Sequence, residues 1–147
     1  MNQGTILLVE DSPDDVVLTK RAFRSHNIQN EMIVASDGAE ALDILFGPAG
    51  GEPPKQLPAI VLLDVNLPKV NGLEVLARIR ADERTRFLPV VILTSSTEQR
   101  DLVESYKLGV NSYVRKPVDF IEFTQAAKQL GLYWLLLNQS PAPGDGV

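Results

Sequence analysis

A chain of 147 residues, 44% hydrophobic and 22% charged, has the composition of one ordinary globular domain and is long enough to bury most of the apolar surface its unfolded form exposes. Its net charge of −5 and isoelectric point near 4.8, with no basic patch, argue against nucleic acid as a partner, because phosphate binding needs clustered cations. The lack of cysteine excludes disulfides, thiol catalysis and cysteine-based metal sites.

Short apolar runs alternate with amphipathic stretches, which predicts an α/β fold with a parallel sheet. The first strand is expected over residues 5–9, leaving no room before it for a signal peptide. The first helix opens with Ser12-Pro13-Asp14-Asp15: a hydroxyl cap, a proline at the first helical position and an acid at the third. Val16, Thr19 and Phe23 follow at helical spacing, facing the sheet. Residues 32–35 suit a short edge strand. Asp37-Gly38 turns into a second helix over 39–46, and the glycine- and proline-rich stretch 47–54 predicts an extended surface loop. Such a loop costs little, because closure entropy grows only logarithmically with length.

A third strand over 59–63, a helix over 72–81 and a fourth strand over 90–93 come next. A fourth helix over 98–108 stops at Gly109, and a fifth strand covers 112–114. The fifth helix starts at Asp119, where Glu122 completes a capping box, and extends to about residue 137 before Pro141 and Gly144 end regular structure. Residues 1–138 are therefore expected to form one domain and 139–147 a disordered tail. With right-handed crossovers, the helices fall on both faces of the sheet. All apolar runs are far shorter than the ~20 residues of a membrane span, so a cytoplasmic protein without a membrane contact is expected.

Four apolar runs end in polar residues of one chemical theme. Glu10-Asp11 follows the first strand, Asp64 the third, Thr94-Ser95 the fourth and Lys116-Pro117 the fifth. Strand C-termini of a parallel sheet line one edge, so these groups are expected to share a crevice. An aspartate there can accept a phosphoryl group only if the repulsion between the dianion and neighbouring carboxylates is relieved. Each like-charge pair at ~4 Å costs about 4 kcal/mol at an effective dielectric of 20. Mg²⁺, a hard oxygen-seeking cation, would relieve it. Asp11 and Asp64 are the expected direct ligands, with Glu10 nearby or acting through water and the backbone carbonyl of Asn66 as a further oxygen. Lys116, the Thr94 hydroxyl and a backbone N–H near Ser95 would meet the phosphoryl oxygens. Inward movement of Thr94 would then free space for Tyr113 to rotate.

At these residues the chain resembles a response-regulator receiver domain of two-component signalling. The resemblance covers about residues 4–130 through ILLVEDSPDD, IVLLDVNLPKVNGLEVL, LPVVILTSS and YVRKPVD, in the order and spacing of that family. It implies a flavodoxin-like, doubly wound five-stranded sheet of order 2-1-3-4-5 with five helices. It also implies Asp64 as phosphoacceptor, Glu10 and Asp11 as the acidic pair, Thr94 as the switch hydroxyl and Lys116 as the phosphate-binding lysine. SPDD, the insertion before LPAIVLLDVNLPKVNG, RADERTRFLPVVILTSS, GVNSYVRKPVDF and the late YWL are similar to single-domain response regulators that serve bacterial phytochrome histidine kinases. Gly131 and the apolar run LGLYWLLL depart from that group.

Each signal has a plainer reading. Glu10-Asp11 alone could be a solvated strand end, Thr94 and Ser95 a capping cluster, and Lys116 plain surface; their joint placement favours the site. His26, the only histidine, reads as exposed near the end of the first helix, so the phosphohistidine donor must be another protein. In the fifth helix, Phe120, Phe123, Ala127, Leu130, Trp134 and Leu137 recur at three-four spacing, a seam that one sheet face could absorb, while Leu132, Tyr133, Leu135 and Leu136 point elsewhere. Either the chain folds back over them, or a homodimer forms through the fourth helix, fifth strand and fifth helix. The second is expected, with Phe120, Phe123, Leu130, Tyr133 and Trp134 on the partner face.

The expected protein thus takes a phosphoryl group from a histidine kinase and is not an enzyme on an external substrate. An aspartyl phosphatase resembling haloacid-dehalogenase enzymes is the first rival. It needs a second aspartate two residues after the first, where this chain has Asn66. A degenerate, phosphate-independent receiver is the second, and the complete set of acids, threonine and lysine speaks against it.

Overall fold

The computed structural model describes residues 4–25, 28–48, 51, 52, 54, 56–95, 112–116 and 120–129. Five parallel strands, β1 (Ile6–Val9), β2 (Met32–Ala35), β3 (Ile60–Asp64), β4 (Val90–Thr94) and β5 (Ser112–Arg115), form one sheet of order β2-β1-β3-β4-β5. Four helices are described: α1 (Pro13–Ser25), α2 (Gly38–Phe46), α3 (Gly72–Ala81) and the C-terminal α4 (Phe120–Gln129). The helix expected over 98–108 and the continuation beyond Gln129 lie outside the described residues, as does the tail. Among the described residues no helix is long and apolar enough to cross a membrane.

The central strands are continuous apolar runs because both of their faces are covered. Ile6, Leu8, Ile60, Leu62, Val91, Leu93 and Val114 pack with Phe23 of α1 and Phe123 of α4. The alternate residues Leu7, Val9, Val61, Leu63, Val90 and Ile92 pack with Ala41 and Leu45 of α2 and with Val75, Leu76 and Ile79 of α3. Phe123 is 1% exposed, and its ring lies 4.6 Å from that of Phe23, centroid to centroid. This corrects its expected place on a partner face: the ring is absorbed by the domain's own core. The side chain of Phe120, and Leu130, Tyr133 and Trp134 altogether, fall outside what is described.

Helix starts are fixed locally, which sets the strand-end loops. The Asp15 N–H donates to Ser12 Oγ at 3.3 Å and the Val16 N–H to the Ser12 carbonyl at 3.0 Å, as the SPDD motif predicts. Asp37 caps α2 by accepting the Glu40 N–H at 2.7 Å. Asn71 caps α3 by accepting from the Leu73 and Glu74 N–H groups, while Glu74 reaches back to the Asn71 N–H, a complete capping box.

Candidate functional site

The site is built where β1, β3 and β5 end. In register, Val9 of β1 lies beside Leu63 of β3, so Glu10 and Asp64 emerge side by side. The Glu10 N–H still donates to the Ala35 carbonyl at 2.9 Å, and Asp64 still pairs with Leu93 of β4. Both acids are therefore anchored by the sheet ladder itself, and both are buried, at 2% and 3% exposure. Asp11, one residue further along, is exposed.

The loop after β3 holds Asp64 from the other side. The Asn66 N–H donates to Asp64 Oδ1 at 3.2 Å, and the Gly72 N–H donates to the Val65 carbonyl at 2.9 Å. Gly72 begins α3 so close to the strand end that a Cβ there would collide with the Asp64 carbonyl oxygen and lie 2.8 Å from Val65 Cα. Only glycine fits that approach without moving backbone.

Lys116, directly after β5, reaches into this corner. Its Nζ lies 3.0 Å from Asp64 Oδ2, 3.1 Å and 3.3 Å from the two Glu10 oxygens, and 3.0 Å from Asp15 Oδ2. Glu10 Oε2 also accepts the Ser12 N–H at 3.2 Å. Burial, and then the charge of Asp64, push the Glu10 carboxyl up to about 7, against the pull of Lys116. Burial opposes the charge on Lys116, but hydrogen bonds to Asp15 and Asp64, with the charges of Asp64 and Glu10, raise it above the ordinary lysine value. The ammonium is thus the internal counter-ion of the acids.

Glu10, Asp11 and Asp64 each offer an oxygen, all within 4.8 Å of one another. Three carboxylates converging at that spacing fit a hard divalent cation of the Mg²⁺ kind. Of the other expected residues, Thr94 is the last residue of β4, in register with Arg115, and Ser95 follows it, exposed. Tyr113 sits on β5 beside Ile92 and is half-buried against the α2/α3-side core. Asn66 is exposed beside Asp64.

One member of the constellation escaped sequence reasoning. Asp15 reads as an ordinary first-turn acid of α1, yet its carboxylate grips Lys116. The signal was available: a helix separated by only three residues from a strand ending in the crevice must turn its first-turn side chains past that same crevice.

Residues 6–128 match the family model described as the response regulator receiver domain. The probable methanogenesis regulatory protein FilR2 of Methanothrix harundinacea is 44% identical over 138 residues, which span 94% of this chain and 88% of that protein. The structure of the bacteriophytochrome response regulator AtBRR aligns with a TM-score of 0.82 and 50% identity, covering 89% of this chain and 94% of that one. The Mn²⁺-bound form of the response regulator Rcp1 aligns with a TM-score of 0.68 and 35% identity, covering 95% and 99%.

Proposed function

Because the chain belongs to the response regulator receiver family, we propose that it accepts a phosphoryl group on Asp64 from a partner histidine kinase and signals by the resulting change of shape. The observation that carries this reading is the Asp64 carboxylate itself: buried at a strand end, clustered with Glu10 and Asp11, and contacted by Lys116 at 3.0 Å.

In the transfer, an Asp64 oxygen forms a bond to phosphorus as the bond from phosphorus to the donor nitrogen breaks, and the leaving imidazole takes up a proton. Asp11, Asp64 and the Asn66 carbonyl would hold Mg²⁺, with Glu10 acting through water. Bound there, the cation would neutralise charge shared between carboxylate and phosphoryl oxygens. The Mn²⁺-bound Rcp1 structure supports a divalent site of this kind. Lys116 exchanges its Asp64 contact for a phosphoryl oxygen, and the Thr94 hydroxyl and the Ser95 backbone N–H supply further donors. Drawing Thr94 inward then makes room for Tyr113. The protein acts on its own carboxylate, not on an external substrate.

The similarity to AtBRR supports a bacteriophytochrome as the donor kinase, and the near-complete coverage of AtBRR and FilR2 supports a single-domain regulator. A homodimer through the expected fourth helix, the fifth strand and the fifth helix, with Leu130, Tyr133 and Trp134 among the partner-face residues, is part of the same proposal. Incubation with a small phosphodonor should label the protein only with Mg²⁺ and not label Asp64→Asn. Label that persists in that variant refutes the assignment. Transfer from a bacteriophytochrome kinase should outpace transfer from an unrelated kinase, and sedimentation should give twice the monomer mass.

A further inference from the structure

Lys116 has three ammonium protons and faces three carboxylates, Glu10, Asp15 and Asp64. Two of these, Glu10 and Asp64, belong with Asp11 to the group that converges on a cation position; Asp15 does not. Asp15 reaches it from the first turn of α1, at 3.0 Å, with its side chain 31% exposed. Its place is fixed by its own N–H on Ser12 Oγ, and Ser12 is in turn tied to Glu10 through its backbone N–H.

A divalent cation held by the cluster would compete with Lys116 for the charge of Glu10 and Asp64 and would repel the ammonium. A phosphoryl group on Asp64 then removes one of those carboxylates as an anion. Asp15 lies outside that cation group, so its contact with Lys116 need not be given up in either event.

We propose that Asp15 is a positioning residue: it anchors Lys116 at the rim of the pocket once the acids of the cluster are engaged, so that the ammonium meets the incoming phosphoryl group instead of swinging into solvent. This rests on the assignment of Asp64 as acceptor. The plainer role for a first-turn acid is to favour the helix N-terminus, and that role would not depend on Lys116.

The two are separated by placing Asp15→Asn and Asp15→Glu in the native and Lys116→Ala backgrounds. Labelling with phosphoramidate and Mg²⁺ should slow about tenfold in Asp15→Asn, the scale of one charged hydrogen bond, and recover most of that in Asp15→Glu. In Lys116→Ala, Asp15→Asn should have no further effect. A second readout needs no phosphoryl transfer: modification of Lys116 by an amine-reactive reagent, followed by mass spectrometry. Asp15→Asn should speed it several-fold with Mg²⁺ present and little without, and this arm decides if Lys116→Ala abolishes labelling. Equal slowing in both backgrounds, or no change in Lys116 reactivity, overturns the anchoring role while leaving Asp64 as acceptor. Label that survives Asp64→Asn overturns the acceptor assignment, and the anchoring role falls with it.

Discussion

Replacing Glu10 by Gln in the metal-free protein should remove a pH dependence of stability that the native chain carries through Glu10. In the folded state this carboxyl is pushed up to about 7, first by burial and next by the charge of Asp64, while the ordinary value is 4.5. Below the lower value both folded and unfolded chains hold the proton, and the group contributes no slope. Between the two, the folded chain keeps a proton that the unfolded chain has lost, so stability falls as pH rises. At roughly 1.4 kcal/mol per pH unit, the interval amounts to about 3 kcal/mol, fully lost once pH passes about 7. Glu10→Gln should therefore match the native protein near pH 4.5 and exceed it by up to that amount near pH 8. Mg²⁺ should work in the opposite sense. It favours the ionised carboxylate, so its binding should release a proton near neutrality and stabilise the native protein more at about pH 8 than at about pH 5. Urea unfolding of both proteins over this range, with and without Mg²⁺, measures the difference directly, and titrating groups remote from Glu10 cancel in it. A constant difference between the two proteins across the range would show that the Glu10 carboxyl is not perturbed in this way.

Three further outcomes are expected. Lys116→Ala leaves Glu10, Asp15 and Asp64 without their shared cation, so without metal it should destabilise by about 3 kcal/mol; urea unfolding should show Mg²⁺ restoring much of this, while phosphodonor labelling stays slow. Gly72→Ala forces β3 and α3 apart at the Asp64 carbonyl, and should cost about 1–3 kcal/mol in unfolding experiments and slow labelling of Asp64 by up to about 100-fold through misplacement. Phe123→Ala should destabilise the monomer by about 3–5 kcal/mol, detectable by thermal unfolding at a concentration too low for association, because the ring is buried against Phe23.

Where the sequence was legible, apolar runs and punctuating residues agreed. β2 over Met32–Ala35 and α3 over Gly72–Ala81 have the expected bounds, and the strand order is the one expected. β3, β4 and β5 each extend one residue further than their apolar runs, to Asp64, Thr94 and Arg115. Ladder pairing belongs to the backbone, and a polar side chain ends the hydrophobic pattern without ending the hydrogen bonds. Phe123 was misread for a different reason: three-four spacing announces an apolar helix face but not what covers it, and here Phe23 of α1 does. The need for Gly72 was hidden because a glycine at a helix start looks like a turn signal. The collision that excludes a side chain involves backbone eight residues earlier. Asp15 was hidden by a sufficient local explanation, since an acid in a first helical turn needs no tertiary partner to make sense.

The same four acids divide by how they are held, and the division explains how a crowded negative pocket can be both stable and responsive. Glu10 and Asp64 are fixed by strand ends and buried, so at rest they require compensation from within, and Lys116 supplies it. Asp11 and Asp15 face solvent more freely, and water bears part of their cost. A single ammonium cannot neutralise four carboxylates, and a phosphoryl dianion adds to the excess. On the proposed function, its arrival would be tolerable only if another cation were held by the acidic cluster while the ammonium turned to the new oxygens. For Lys116 that turn would exchange one anion for another, a small change in energy, and with Asp15 as the proposed anchor it would also be a small change in position. On that reading the pocket would be poised for reversible transfer, because its resting counter-ion already lies 3.0 Å from the Asp64 carboxylate proposed to accept the phosphoryl group.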